Sequence, residues 1–120
     1  MSNHEAEVFN LAEALERVEG DTELLKEMAD LFLEEYPRML VEIEQAITAK
    51  NAQALQHAAH TLKGSVSNFA AYGATEASLA LEKMGRQQNL ADAAMALSLL
   101  KHELARLSPA LAMLKERAAA

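Results

Sequence analysis

His60, Lys63 and Gly64 fall within the run His60-Thr61-Leu62-Lys63-Gly64-Ser65. On a helix, residues three and four positions apart share a face, so this spacing sets an imidazole, an ammonium and a bare stretch of backbone side by side. Glycine in a helix interior costs roughly 1 kcal/mol relative to alanine, and its presence there asks for a reason. One reason is the close approach of another molecule. A second is packing of two helix backbones, and the two are compatible. The chemistry that fits is phosphoryl transfer: a neutral imidazole supplies an in-line nucleophile, an ammonium neutralises oxygens of the transferred group, and a missing side chain leaves room for a donor. The Lys63 charge also opposes protonation of the ring.

The rest of the chain must hold that face in place. At 120 residues, with 51% hydrophobic and 24% charged content, it fits one domain with a real core and a polar surface. Alanine and leucine dominate, aromatics are 4%, and there are only 4 Gly and 2 Pro, which is the composition of an all-helical protein. The absence of cysteine excludes disulfides and thiolate chemistry. A net charge of −7 argues against nucleic acid. No apolar stretch is long enough to span a membrane, and Met1 to Glu5 lacks the pattern of a secretory leader, so a cytoplasmic location is expected.

Helical periodicity gives the elements. Residues 1–7 are polar and are expected to be disordered; the bundle domain is expected over 8–117. Asn10 caps a short helix that Gly20 ends at the C′ position, and Asp21 caps a long one that continues through a kink at Pro37. Asn51 caps a third helix over about Ala52 to Phe69, with an inward stripe of Leu55, Ala59, Leu62, Val66 and Phe69. A loop around Ala71-Tyr72-Gly73 leads to a fourth helix ending near Gly85. The last spans about Leu90 to Arg117, with Pro109 able to bend it near its end. The methionines, Met28, Met39, Met84, Met95 and Met113, read as core filler. Long amphipathic helices with short connections predict an antiparallel four-helix bundle, with the short N-terminal helix covering one end.

In that arrangement His60 lies on the exposed flank of the third helix with Gln56, His57, Lys63, Gly64, Ser67 and Asn68. One ring nitrogen must attack while the other is held by an acceptor that fixes the tautomer. A hairpin turning near Tyr72 places His60 opposite residues near 83, which makes Glu82 the expected orienting acceptor and Arg86, one turn on, a second cation. His57 and His60 have no third ligand at a suitable spacing, and Lys63 would repel a cation, so no metal site is expected.

The stretch Ala58-Ala59-His60-Thr61-Leu62-Lys63-Gly64-Ser65 resembles the signature of histidine phosphotransfer (HPt) domains. Weaker similarity extends through Val8-Phe9, Gly20-Asp21, Leu31-Phe32-Leu33 and Leu81-Glu82. The resemblance implies a phosphorelay carrier in two-component signalling, phosphorylated at His60, with Lys63 and Gly64 as the matching cation and clearance positions. It further implies that the chain accepts phosphoryl from a receiver-domain aspartyl phosphate and passes it to another receiver. The implied partners are response-regulator receiver domains and a hybrid sensor histidine kinase. Mg²⁺ would be supplied at the receiver, with no cofactor bound by this chain and no kinase activity of its own. Two positions depart from the family pattern: Ala70 stands where many members carry glycine, and Glu82 where many carry glutamine or another polar residue. Docking would use Gln56, His57, Gly64, Ser67, Asn68 and Arg86.

Two other readings compete. The phosphoacceptor part of a sensor kinase normally has an acidic residue after its histidine and a proline shortly downstream; here Thr61 follows, and no proline occurs between Pro37 and Pro109. A non-catalytic helical interaction bundle leaves the helical glycine unexplained. A monomer is expected because the bundle consumes one apolar stripe per helix.

Overall fold

The computed structural model describes residues 8–119; the expectation of a disordered 1–7 lies outside the described residues. The helices are α1 (Leu11–Arg17), α2 (Thr22–Thr48), α3 (Ala52–Ser67), α4 (Tyr72–Arg86) and α5 (Ala93–Ala119). The side chains of Asn10, Asp21 and Asn51 accept from the backbone N–H groups of Glu13, Leu24 and Ala54, each at 3.0 Å, so the expected caps open the first three helices. α2 and α5 run uninterrupted through Pro37 and Pro109.

Several boundaries differ from the sequence reading. α3 ends at Ser67, and Tyr72 opens α4 instead of lying in a loop. α5 starts at Ala93, because Asn89 Oδ1 accepts from Ala91 N–H at 3.2 Å and holds the preceding residues in a turn; it then continues to Ala119. Gly20 is not the C′ residue of α1. Glu19 takes that position at φ 55°, with Gly20 N–H reaching back to Leu15 O at 2.8 Å. Lys50, Ala70 and Gln88 repeat this arrangement after α2, α3 and α4, at φ 56°, 54° and 56°. These left-handed helix ends usually take glycine, which has no Cβ to crowd the following carbonyl. Here the glycines are used elsewhere, and Ala70 carries the strain that glycine would relieve.

Each of α2 to α5 packs on its chain neighbours, and α5 closes the ring against α2, giving the antiparallel four-helix bundle. Leu55, Ala59, Leu62, Val66 and Phe69 are all at most 1% exposed, so the α3 stripe faces the core as expected. Leu100, Leu104, Leu107 and Leu111 of α5 and Leu25, Ala29 and Ile43 of α2 meet it from the other side. Phe32 and Phe69 pack edge to face with ring centroids 5.9 Å apart. The core-filler reading of the methionines fails for two of them: Met95 and Met113 are 70% and 60% exposed on the outside of α5.

α1 fastens the α3–α4 turn. Asn10 N–H donates to Ala70 O at 3.2 Å, Arg17 Nη1 donates to Ser67 O at 2.7 Å, and the Tyr72 hydroxyl donates to Glu13. The Arg17 bond adds a second donor to a carbonyl that also accepts from Ala70 N–H at 3.0 Å, and it places a cation at the negative pole of α3.

A histidine, a buried carboxylate and two cations on the α3–α4 seam

The seam between α3 and α4 is lined on the α4 side by Ala74, Ser78, Glu82 and Gly85, all at least nine-tenths buried. Gly85 sets the separation. A Cβ there would lie 2.6 Å from Ala52 O and from Gln56 N, on the backbone of α3. α4 ends at Arg86, beside Gly85 as expected, and Gly85 is in addition a packing residue on the α3 side of the helix. With the backbones this close, Glu82, one turn earlier, reaches across to α3.

Glu82 is 5% exposed and gathers three side chains. His60 Nδ1 lies 3.0 Å from Oε2, and Arg86 Nη2 donates to the same oxygen at 3.1 Å. Lys63 Nζ is 2.8 Å from Oε1, where it forms an ion pair; that oxygen has no well-aligned hydrogen bond. The Glu82 carboxyl is held below its ordinary range, first by Lys63 and then by His60, against the opposing effect of burial. An ionised carboxylate only accepts, so Nδ1 carries the proton and donates it to Glu82. That tautomer leaves the lone pair on Nε2, on the far edge of a side chain 64% exposed to solvent. The structure thus brings His60, Lys63, Glu82 and Arg86 together. It also alters one step of the sequence argument: the charge of Lys63 is balanced by Glu82, so its repulsion of a protonated ring is largely offset.

The flank residues divide into two groups. Gln56 and His57, with Gln53, line a shallow depression that opens beside His60 and Glu82. Gly64 is exposed, and a Cβ on it would meet nothing within 4 Å, so it packs against no other helix of the bundle and the packing alternative falls away. Ser67 Oγ donates to Gly64 O at 2.9 Å, and Ser65 Oγ and Thr61 Oγ1 likewise donate to carbonyls one turn back. These hydroxyls are spent on their own helix, which leaves a smooth surface. Asn68 belongs to a second feature, a mainly apolar groove toward α2 lined by Met28, Leu31, Phe32, Met39, Ser65 and Phe69, with Glu35 as its one charged residue. The sequence reading missed this groove. The signal was present in Leu31-Phe32-Leu33, since three consecutive apolar residues cannot all face inward on one helix; Leu31 is the one left 61% exposed.

A family model for the Hpt domain matches residues 27–110, which include His60, Lys63, Glu82 and Arg86. The chain belongs to the Hpt domain family and is a histidine phosphotransfer carrier of phosphorelay signalling. Such domains carry phosphoryl groups rather than act as kinases, and they interact with response-regulator receiver domains and kinases. The fold is similar to the crystal structure of histidine-containing phosphotransfer protein B (HptB) from Pseudomonas aeruginosa PAO1. The TM-score is 0.85 at 24% identity, over 93% of this chain and 97% of that one. No curated protein matches the sequence. Among the described residues, no helix is long and apolar enough to cross a membrane.

Proposed function

We propose that His60 is the phosphoacceptor, taking the phosphoryl group from a receiver-domain aspartyl phosphate and passing it to a second receiver. The observation that carries this is the hydrogen bond from Nδ1 to Glu82, which in the neutral ring selects the tautomer with its lone pair on Nε2, at the exposed edge of the side chain and near a glycine with nothing over it. Glu82 orients the ring. Lys63 and Arg86 supply positive charge within reach of the incoming phosphoryl oxygens. Gln56, His57, Gly64, Ser67 and Asn68 form the contact surface, with the groove toward α2 as its apolar margin. On this reading Mg²⁺ is supplied at the partner's site and the chain binds no cofactor. It has no ATP-dependent kinase activity of its own and works as a cytoplasmic monomer, over 8–117, with a hybrid sensor kinase upstream.

The test is transfer from a phosphorylated receiver compared with labelling by a small phosphoramidate. Gly64→Gln should stay folded, accept phosphoryl from the small donor, and lose transfer from the receiver by tenfold or more, about the cost of one lost steric fit. Lys63→Ala should slow both reactions without abolishing either. Equal receiver transfer by Gly64→Gln and the wild type would remove Gly64 from the docking surface.

A further inference from the structure

Orienting the ring does not require a charge at position 82, because an amide oxygen also accepts a hydrogen bond from Nδ1–H. Yet the position holds a carboxylate that is 5% exposed, and burying a charge is costly unless it is compensated. Lys63 and Arg86 provide compensation at 2.8 and 3.1 Å. The question is what the negative charge does for the phosphorylated ring.

Transfer to His60 creates a new charge. The Nε2 lone pair forms a bond to phosphorus as the P–O bond of the aspartyl phosphate breaks, and that bond's electron pair leaves with the carboxylate. The Nδ1 proton is not released, so the ring becomes a cation bearing a phosphoryl dianion. In the return step the N–P electron pair goes back to Nε2. If the ring keeps its Nδ1 proton, the leaving group is a neutral imidazole. If the proton has been lost, the leaving group is an imidazolide anion, which leaves far less readily. The charged groups facing this ring are Lys63 and Arg86, which oppose a third positive charge, and Glu82, which favours it; His57 stands one turn away on the exposed side of α3.

We infer that Glu82 is a proton-holding residue: its carboxylate keeps the Nδ1 proton on phosphorylated His60 and so keeps the phosphoryl group transferable. This deepens the reading of His60 as phosphoacceptor and rests on it. Exchanging the charge-assisted hydrogen bond for a neutral one is worth about tenfold, or about one pH unit on a titration.

The experiment follows phosphoryl transfer to a receiver, and the lifetime of the phosphohistidine, as pH is raised for the wild type and Glu82→Gln. In the wild type transfer should persist to higher pH. In the variant the profile should break about one unit lower, and above that break the label should live about tenfold longer and transfer about tenfold more slowly. Superimposable profiles with His60 labelled in both proteins would overturn the inference and leave the phosphoacceptor reading intact. Absence of label at His60 in the wild type would instead remove the reading beneath it. Should Glu82→Gln not fold, ring nitrogen NMR of the phosphorylated wild type decides the matter. Nδ1 should keep its proton at a pH where free phosphohistidine in the same buffer has lost it; loss at the same pH would overturn the inference.

Discussion

Two long seams of this bundle are built from different materials. The largest buried side chains of α2 and α5 are Leu25, Phe32 and Ile43 on one helix and Leu100, Leu104, Leu107 and Leu111 on the other, alongside the smaller Ala29, Ala46, Ala93 and Ala96. A surface ion pair, Lys101 to Glu44 at 2.5 Å, crosses the outer edge of their seam. Where α3 meets α4, the buried residues include Ala58, Ala59, Ala74, Ser78 and Gly85, with the carboxylate of Glu82 among them. Side-chain size at a contact sets how closely two helices approach. Large residues between α3 and α4 would hold the helices apart, and Glu82 could not reach His60 while staying buried. The leucine-rich seam supplies apolar burial, which dominates folding stability. The small-residue seam gives up some of that burial and gains a fixed, charged site.

The comparison can be broken from either side. Leu107→Ala removes a fully buried side chain and should destabilise the fold by about 2–5 kcal/mol in chemical denaturation. Below its melting temperature the variant should still be labelled at His60 at the wild-type level. Gly85→Ala forces a Cβ against the α3 backbone, and nothing flexible can yield. It should cost about 1–3 kcal/mol and, unlike the leucine variant, should slow phosphoryl transfer in the fraction that remains folded. A variant as active as the wild type would mean that the seam's spacing is not what positions Glu82.

Acid should distinguish the seams next. Because the Glu82 carboxyl is held below its ordinary value of 4.5, its pairing contributes stability above that pH and loses it as pH falls through the lowered value. The stability gap between the wild type and Glu82→Gln should therefore be widest near neutrality and close on acidification. A gap that stays constant would show that Glu82 is held by shape and not by charge. The smallest effect should come from Lys101→Ala, whose ion pair is about half exposed on both partners. A change within about 0.5 kcal/mol is expected in the same denaturation experiment.

Much of this arrangement was legible in the sequence, and the parts that were not share a cause. Caps at Asn10, Asp21 and Asn51 and the α3 stripe follow from local chemistry and periodicity, and both held in the fold. Glu82 was placed opposite His60 from the hairpin register alone, because two antiparallel helices joined by a short turn have few ways to align. Gly85 lies one residue before the end of α4, where the sequence places the helix end, but its packing role is not legible, because a glycine near a helix end looks the same in sequence whether it stops the helix or admits a neighbour. Only the 2.6 Å approach to α3 separates the two. The left-handed ends at Glu19, Lys50 and Gln88 have no marker in the sequence because none carries glycine, and that at Ala70 shows only through the family resemblance, where many members have glycine. The groove beside Asn68 leaves one trace in the sequence, the surplus apolar residue of Leu31-Phe32-Leu33, but its other wall is Ser65, Asn68 and Phe69, which only the packing of the two helices brings opposite.

The central claim is that the close α3–α4 seam makes His60 the residue that carries phosphoryl. Its most direct test is the intact mass of the wild type and of His60→Gln after incubation with a phosphoramidate donor, with each sample then divided between mild acid and neutral buffer. The account predicts one added phosphoryl group on the wild type, lost in acid, kept at neutral pH and absent from the variant. A label of the same size on His60→Gln would contradict it and move the chemistry to another residue, with His57 first in line.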